Sequence, residues 1–537
     1  MEFMLNSVDS TNNFKFKIQQ GKNNFIDIDY KSVICDYLYM LNEKLFNNIN
    51  EFENITFCVP DYYTLYQRKE LSLICKALNM KNFNIINESS AITMYYGFFE
   101  YNNIFFNQKF EENEKILFID FGYSKVSYIL SIYKKNEFRV EKVYCNPYLG
   151  GRNLDKKILT SIINKFNESN KINNFELTPK IKYNSLKIIS KAREKLSLND
   201  EALIQIEPFY QGQNIDMIFS ISELNDIIEK EVNQLKTDLS NIIEKYKGNI
   251  KYIEMVGNVM RTRSFESIIN EKFQLNVDKH ILVDECICLG GSIYGFYLKN
   301  SDCGLLKNFF EYNYYNILYI INDDNKHPEY AFKKTIITDK EKRIALHIKN
   351  EVIIKIKFYY ENSEVDNLES QFLEDIITYE INFEKYIEEH KNKKNEQEKK
   401  EKKIETKIEF IINIDLNNPR IEINNKEVQG IVIKQLSGFL KNENEENIIT
   451  QLKDRLIENK NFEKDYYDYS ETRLKLSQNI YEIIKLIKDE EEIKNLKNDL
   501  KFLRQHYFQI NEREKKITEI KNRINEYKKK FEIKTKE

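Results

Sequence analysis

The stretch Ile119-Asp120-Phe121-Gly122-Tyr123-Ser124 decides the fold, because it places a carboxylate and a glycine in a turn between two apolar segments. Residues 115–119 and 126–133 are rich in β-branched and apolar side chains, which predicts two strands of a hairpin around this turn. Such a turn lets backbone N–H groups approach a phosphate while the carboxylate faces a hydrated cation. One glycine turn after a strand is weak evidence, so its neighbours in the sequence decide its meaning.

Two further glycine turns follow along the chain. Leu149-Gly150-Gly151-Arg152-Asn153-Leu154-Asp155 opens a helix predicted over residues 155–170, and a helix N-terminus favours anions. Val256-Gly257-Asn258-Val259-Met260-Arg261 follows a strand predicted over residues 252–256. Each turn alone is most simply a turn, but the order and separation of the three make them informative.

Glycine and proline divide the chain into parts. Only Gly430 and Gly438 of the 14 glycines lie beyond Gly304, and all 6 prolines precede residue 420. The first 300 residues alternate short apolar strands with amphipathic helices, which predicts an α/β domain of mixed sheets flanked by helices. Residues 301–440 change to short alternating segments, typical of a β-rich module. Residues 441–537 show the three-four apolar spacing of a helical domain.

A charged segment at residues 384–407 interrupts the predicted β-rich module. Its run Lys391-Asn392-Lys393-Lys394-Asn395-Glu396 has almost nothing to bury. Segments with so little apolar surface cannot offset the entropy of ordering, so we expect a disordered or frayed insertion.

Composition excludes several classes of protein. Lys and Arg (82) nearly balance Asp and Glu (85), so no strong field draws the chain to nucleic acid or to an anionic membrane. No apolar run is long enough to span a bilayer and the N-terminus lacks a signal-peptide pattern, so we expect a cytoplasmic protein. The 7 cysteines form no CxxC pair and the 5 histidines are isolated, which favours reduced thiols over a zinc site. Asp120-Phe121-Gly122 also occurs in protein kinases, but the other kinase motifs, a Walker A loop and GxGxxG are absent.

The ordered turns resemble the ATPase domain of the heat-shock protein 70 superfamily over about residues 50–300. Seven segments are similar to the family's VPAYF…QR, INEPTAA…YG, DLGGGTFD, LGGEDFD, adenosine-helix, VGGSTR and DEAVAYG motifs, and they lie in this order at Val59–Arg68, Ile86–Gly97, Asp120–Ser127, Leu149–Asp155, Lys191–Ser197, Val256–Arg261 and Asp284–Gly290. The resemblance implies an α/β actin-like ATPase domain with an incomplete first lobe over residues 1–300. A β-sandwich module over 301–440 and a C-terminal α-helical bundle over 441–537 would follow it.

Two details resemble the 110-kDa branch, whose members act mainly as nucleotide-exchange factors and holdases. The second phosphate loop of that branch commonly reads DMGHS, and Asp120–Ser124 follows this form more closely than the DLGGG of folding chaperones. Asn146–Asp155 is similar to the DPFLGGKNFD turn of the branch. The charged insertion and the helical tail also suit it, and a degenerate folding chaperone is the alternative assignment.

The resemblance implies a weak site for ATP or ADP, with Mg²⁺ as an accompanying cation. The residues that it assigns to nucleotide binding are Asp120, Gly122, Gly150, Gly151, Arg193, Ser197, Gly257, Arg261 and Asp284. Arg193 and Arg261 are expected to make the most useful contacts, although an ordinary structural role for both stays open. Glu88 and Asp120 are weak candidates for metal binding. No catalytic residue is predicted, and the chain is expected to be at most a weak ATPase.

Several positions depart from the family's pattern. The first phosphate loop, DLGTT, and the lysine beyond it have no counterpart, so the chain is expected to begin midway through the first lobe. Tyr123 replaces a glycine of the second loop, Lys125 its threonine and Ser127 its aspartate. Glu194 replaces an arginine that would stack on the base, and Val259 replaces a serine. These changes predict weak nucleotide binding and slow or absent hydrolysis.

Two functions compete on this basis. The first is an ATP-binding co-chaperone that holds unfolded client polypeptides and promotes nucleotide release from a partner folding chaperone of the same superfamily. Exposed apolar residues near 305–360 would contact the client. The second is a catalytically dead scaffold that keeps the fold without nucleotide control. A sugar kinase or an actin-like protein shares the ATPase superfold but has no such appended β module and helices.

Overall fold

The computed structural model divides into two compact units. The first comprises residues 1–2, 50–72 and 80–444, and the second comprises residues 3–49, 73–79 and 445–537. The structure describes residues 5–8, 14–19, 25–43, 54–101, 114–134, 137–172, 175–246, 249–273, 276–278, 281–299, 308–322, 328–335, 341–348, 352–361, 376–393, 406–416, 419–424, 428–438, 440–441, 445–505 and 510–531.

Strands and helices alternate through the first half of the chain, strands dominate the next part, and helices form the end. The strands are β1 (Leu5–Val8), β2 (Phe14–Gln19), β3 (Phe25–Asp29), β4 (Ile55–Val59), β5 (Phe83–Asn87), β6 (Glu114–Phe121), β7 (Val126–Lys134), β8 (Glu137–Asn146), β9 (Glu201–Tyr210), β10 (Gln213–Ser220), β11 (Ile250–Val256), β12 (Asn276–Asp278), β13 (Asn308–Phe310), β14 (Ile317–Ile321), β15 (Glu329–Phe332), β16 (Glu341–Ile348), β17 (Ile353–Tyr360), β18 (Ile377–Asn382), β19 (Thr406–Asp415), β20 (Arg420–Asn424) and β21 (Val432–Ser437). The helices are α1 (Tyr30–Leu41), α2 (Leu65–Ala77), α3 (Glu88–Tyr101), α4 (Gly151–Asn170), α5 (Pro179–Lys195), α6 (Ile221–Lys245), α7 (Arg263–Phe273), α8 (Cys286–Lys299), α9 (Glu384–Lys393), α10 (Glu445–Ile484), α11 (Glu490–Gln505) and α12 (Ile510–Lys530). Among the described residues, no helix combines the length and the apolar composition needed to cross a membrane.

A six-stranded sheet forms the centre of the first unit, with the strand order β12-β11-β6-β7-β8-β13. β6 and β7 form the predicted antiparallel hairpin, in which Asp120 lies opposite Ser127. Side chains of β6 alternate between two apolar cores, with Leu117 buried in one and Phe118 in the other. The sheet is therefore buried on both faces, and the predicted mixed sheet flanked by helices is present.

The helices that cover this sheet begin at residues suited to helix capping. Thr178 accepts a hydrogen bond from the backbone at the start of α5, where Pro179 occupies the first turn. Ser220 and Glu223 form a reciprocal capping box at the start of α6. Caps of this kind are each worth about 1 kcal/mol, and here they fix where two helices that cover the sheet begin.

Strand β13 carries the chain from the central sheet into the β-rich part. It pairs in parallel with β8, and Phe309 lies opposite Phe138. Two sheets follow, one in the order β15-β14-β17-β18-β21 and one in the order β16-β19-β20. Phe358 of β17 and Phe410 of β19 are both fully buried in one shared core. The β-rich segments expected after residue 300 thus form two sheets packed on a common core.

The charged segment at residues 384–407 differs from its prediction. Glu384–Lys393 forms helix α9, and Thr406 already begins strand β19. The helix forms because Tyr386 is buried in the core of the β-rich part and Ile387 packs against it. The prediction of a disordered insertion is therefore wrong for residues 384–393, while residues 394–405 lie outside the described part of the chain.

The second unit contains the sheet β1-β2-β3, helix α1 and the helices α10 to α12. Leu496 and Leu503 of α11 pack with Ile520 of α12 in one apolar cluster, as their three-four spacing predicts. Arg513 of α12 forms an ion pair with Asp465 of α10 at 2.8 Å. The expected C-terminal helices are therefore present and share a core.

Candidate nucleotide site

The three glycine turns identified in the sequence meet in the structure. Asp120 lies near the end of β6, which pairs with the parallel strand β11. Gly257 follows β11 with a φ of +82°, and a Cβ at this position would lie 2.5 Å from the carbonyl oxygen of Phe121. Gly151 donates its N–H to the carbonyl oxygen of Gly122 at 3.1 Å. The backbone segments can approach this closely because glycine carries no side chain.

The start of helix α4 is bonded to the loop that follows β6. The N–H of Arg152 donates to the carbonyl oxygen of Tyr123 at 2.8 Å. The N–H of Gly150 donates to Asn153 Oδ1 at 3.2 Å, and a Cβ on Gly150 would lie 2.5 Å from the Tyr123 carbonyl oxygen. N–H groups at a helix N-terminus are the groups that bind anions, so the loop carbonyls take hydrogen bonds that a phosphate would need.

The ammonium of Lys125 lies between the carboxylates of Asp120 and Glu88. Its Nζ is 2.6 Å from Asp120 Oδ2 and 3.0 Å from Glu88 Oε2. It also donates to Ser127 Oγ at 2.8 Å. The Lys125 side chain keeps only 6% of its surface exposed. The N–H of Gly122 donates to the Lys125 carbonyl oxygen at 3.0 Å, which closes the tight turn between the two residues.

Burial and neighbouring charges shift the pKa values of these groups in opposite directions. Burial lowers the pKa of Lys125, but Asp120 and Glu88 outweigh it and hold this pKa well above its ordinary value. Burial raises the pKa of Glu88, although the nearby Lys125 opposes this shift. Burial also raises the pKa of Asp61, against the hydrogen bond from Ser89 and the charge of Lys125. The cluster therefore holds a charged ammonium as the counterion of buried carboxyl groups.

Arg193, which the resemblance assigns to nucleotide binding, forms a buried ion pair with Asp155. Its Nε donates to Asp155 Oδ1 at 2.7 Å, and its Nη2 donates to Ser190 Oγ at 3.5 Å. Burial raises the pKa of Asp155, although Arg193 opposes this shift. Ser197, on the same segment, donates its hydroxyl to the carbonyl oxygen of Glu194 at 2.6 Å. The pair joins α5 to α4, which is the structural role that the sequence left open for Arg193.

The third turn presents a different environment. Arg261 ends the short 3₁₀ helix Asn258–Arg261 and is exposed. Asp284 is exposed too and accepts a hydrogen bond from Asn258 Nδ2 at 2.6 Å. Val259 is buried, and one of its methyl groups lies 2.9 Å from where a Cβ on Gly151 would be. Of the predicted nucleotide contacts, Arg261 and Asp284 are thus the two charged side chains that face solvent.

Two buried polar residues of this region are not singled out by the sequence analysis. Asp61 accepts hydrogen bonds from both the hydroxyl and the N–H of Ser89, the N–H at 3.3 Å. The guanidinium of Arg68 donates to Asn87 Oδ1 and to the Tyr63 carbonyl oxygen. The available signal is a paired departure from the family motifs, because Asp61 stands in place of an alanine and Ser89 in place of a proline.

Comparison with known proteins agrees with this arrangement of sheet and turns. A family model described as Hsp70 protein matches residues 5–310, which is more than half of the chain. The chain belongs to the Hsp70 family. The predicted superfamily is confirmed, and with it the likeness to the 110-kDa branch at low sequence identity.

Relatives of this Hsp70-family chain are between 21% and 24% identical to it over the aligned residues. Heat shock protein 88 of Dictyostelium discoideum is 21% identical over 354 residues, which are 63% of this chain and 43% of that protein. Heat shock protein hsp88 of Neurospora crassa is 24% identical over 327 residues, 60% of this chain and 44% of that protein. A heat shock protein homolog of Lachancea kluyveri is 23% identical over 242 residues, 44% of this chain and 34% of that protein. The chain spans less than half the length of these curated relatives.

Hsp70-family proteins bind ATP or ADP with Mg²⁺, and the arrangement of Glu88 and Asp120 in this chain does not fit that cation. Mg²⁺ requires near-octahedral oxygen ligands at about 2.0–2.1 Å. Glu88 and Asp120 instead contact the Lys125 Nζ, at 3.0 and 2.6 Å. Within the described residues, no group of three or more His, Cys, Asp or Glu side chains could hold a metal ion. The prediction of a weak metal site at Glu88 and Asp120 therefore has no fitting set of ligands.

Proposed function

We propose that this chain is a molecular chaperone that holds unfolded polypeptides and promotes nucleotide release from a folding chaperone of the Hsp70 family. Nucleotide exerts at most weak control over it, and it acts in the cytoplasm. The observation that carries the proposal is the packing of the β-rich part on the α/β part within one compact unit. A surface made by both parts is then available without a nucleotide-driven rearrangement.

Three hydrogen bonds, two of them buried, hold these two parts together. The Tyr315 hydroxyl donates to the Tyr62 carbonyl oxygen at 2.7 Å. The Leu65 N–H donates to the Tyr360 hydroxyl at 2.8 Å, and Asn87 Nδ2 donates to the Tyr312 carbonyl oxygen at 3.0 Å. Removing the partner of a buried polar group costs more free energy than removing the partner of an exposed one. Separating the two parts therefore requires several hydrogen bonds to be hydrated or replaced at once.

The proposed client surface lies on the sheet that contains β17, β18 and β21. Ile353 and Val432 lie on either side of Asn382 in one row across these strands, so all three side chains point to the same face. Ile353 is 45% exposed and Val432 is 53% exposed. Exposed apolar side chains on one face of a sheet can bind apolar segments of an unfolded chain.

The first test measures release of a fluorescent ADP analogue from a folding chaperone of the Hsp70 family. Adding the full chain is expected to accelerate release in proportion to its concentration. The second test measures light scattering of a heat-denatured client protein, which the chain is expected to suppress. A folded chain that neither accelerates ADP release nor suppresses scattering contradicts the proposal.

A matched pair of variants locates the client surface. Ile353→Asp combined with Val432→Asp is expected to weaken suppression of client scattering and to leave ADP release unchanged. Leu474→Asp serves as the control, because Leu474 is an exposed leucine (59%) on helix α10, which is not part of the proposed sheet. Equal loss in both variants would mean that general surface hydrophobicity, and not this sheet face, binds the client.

The second candidate function is a scaffold that keeps the fold and has no nucleotide response. The contacts of Lys125 with Asp120 and Glu88 favour it, because they occupy carboxylates that the resemblance assigns to the nucleotide site. Calorimetric titration with ATP separates the two candidates when it is combined with the ADP-release assay. Absence of both ATP binding and partner-directed ADP release supports the scaffold.

A further inference from the structure

We propose that Lys125 is a built-in replacement for the divalent cation of the nucleotide site, so that Glu88 and Asp120 take no metal ion. The positive charge that other members of the family would recruit from solution is here supplied by the chain. The inference concerns the cation alone, and it holds whichever of the two proposed functions is correct.

The hydrogen-bonding capacity of the ammonium matches its surroundings. A lysine ammonium has three N–H donors and no acceptor. Lys125 Nζ donates hydrogen bonds to Asp120 Oδ2 at 2.6 Å and to Ser127 Oγ at 2.8 Å, and it forms an ion pair with Glu88 Oε2 at 3.0 Å. Two of the three donors therefore have acceptors, and the Glu88 carboxylate lies at ion-pair distance from the same ammonium.

A tight turn of the chain places Lys125 beside Asp120. Lys125 follows the turn closed by the hydrogen bond from the Gly122 N–H to the Lys125 carbonyl oxygen. Its ammonium returns to Asp120, the last polar residue of β6, and meets Glu88 at the start of α3. A tethered ammonium does not dissociate, whereas Mg²⁺ exchanges with solution.

The charge balance of the cluster depends on this lysine. Asp120, Glu88 and Asp61 are the acidic groups that act on one another around it, and Arg68 is the other cation that acts on Asp61. A divalent ion added next to Lys125 would meet an ammonium at close range, which is repulsive. Removing the ammonium would leave the Glu88–Asp120 pair without its nearest counterion, and such a pair of carboxylates is a ligand set for Mg²⁺ or Mn²⁺.

The test is a titration of the full-length, nucleotide-free chain with Mn²⁺, followed by electron paramagnetic resonance of the free ion. The intact chain is expected to show no Mn²⁺ binding that Glu88→Gln removes. Lys125→Ala is expected to bind Mn²⁺ at least about tenfold more tightly than the intact chain does, which is one decade in Kd. Adding Glu88→Gln to Lys125→Ala is expected to abolish the gained site.

A matched control and a second measurement keep the test decisive. Lys115→Ala removes a lysine of the same sheet that pairs with Glu141 at 2.8 Å, and it is expected to gain no Mn²⁺ site. The thermal unfolding midpoint of Lys125→Ala is expected to fall and then to recover partly on adding Mg²⁺, whereas the midpoint of the intact chain stays unchanged. Mn²⁺ binding to the intact chain that Glu88→Gln abolishes would overturn the proposal, and this result needs no Lys125 variant to fold. A folded Lys125→Ala that gains no ion would overturn it as well.

Discussion

Replacing Arg193 with methionine distinguishes a structural role for this residue from a nucleotide-binding one. The substitution keeps an unbranched side chain but removes the charge that pairs with Asp155 at 2.7 Å. Arg193 is 4% exposed and Asp155 is fully buried, so water cannot replace the lost partner. Breaking a buried ion pair by removing one partner costs about 3–5 kcal/mol, because the remaining charge is left uncompensated.

This cost predicts a large change in hydrogen exchange. Losing the ion pair favours local opening of α4 and α5, which the pair joins. Each 1.4 kcal/mol raises the equilibrium constant for opening about tenfold. Backbone amides of these two helices are therefore expected to exchange roughly a hundred-fold to several thousand-fold faster in Arg193→Met. Hydrogen exchange followed by mass spectrometry reports this locally, so the measurement does not require the whole chain to unfold in one step.

Two further variants complete the experiment. Arg152→Met is the control, because Arg152 is an exposed arginine at the start of the same helix α4. The double variant Arg193→Met with Asp155→Leu is expected to recover most of the protection, because an apolar pair often replaces a buried ion pair without loss of stability. Exchange in Arg193→Met within about threefold of the parent protein would refute the structural role, most clearly if ATP affinity fell instead.

Two other perturbations have expected outcomes that follow from the structure. Gly290→Ala should lower the free energy of unfolding of the first unit by about 1–3 kcal/mol or more, because its Cβ would overlap the Ala91 carbonyl oxygen where α8 crosses α3. Gly122→Ala is the control, because a Cβ there would make only an ordinary contact at 3.9 Å. Its free energy of unfolding in urea should stay within about 0.5 kcal/mol of the parent value. Raising the pH should lower the thermal midpoint progressively from about 9 toward 12, because burial raises the pKa of Cys58 and of Cys145 from 9.0 to about 12 and the stability gained by keeping these thiols protonated is lost over that range. A midpoint that stays constant up to about pH 11 would contradict this reasoning, and one that falls equally after the thiols are replaced by alanine would show that other groups control the alkaline limit.

The local elements of the first unit follow from sequence periodicity. The apolar pattern predicts a strand over residues 252–256 and β11 covers Ile250–Val256, while it predicts a helix over residues 155–170 and α4 covers Gly151–Asn170. Both are predictable because the period of apolar residues along a short segment reflects one buried face. Helix α9 escapes prediction because its charged composition hides Tyr386, whose burial depends on a core built by distant strands.

The candidate site is predictable only in part. The order of glycine turns indicates which backbone segments meet, and the structure brings them together. The side-chain pairs cannot be predicted in the same way. Arg193 and Asp155 are 38 positions apart, so the residues around one give no information about the other. The sequence shows only that Lys125 replaces the threonine of the family's loop. Nothing in its own segment indicates that Glu88, at the start of α3, lies 3.0 Å from its ammonium.

The hydrogen bonds between the loop carbonyls of Gly122 and Tyr123 and the first N–H groups of α4 make this loop a tethered competitor of any incoming anion. A tethered group competes at an effective concentration on the order of millimolar or above, which no dilution can reduce. We therefore expect a phosphate to reach the helix N-terminus only above that concentration. Over a wide range of nucleotide concentrations we therefore expect the loop to keep these hydrogen bonds with α4.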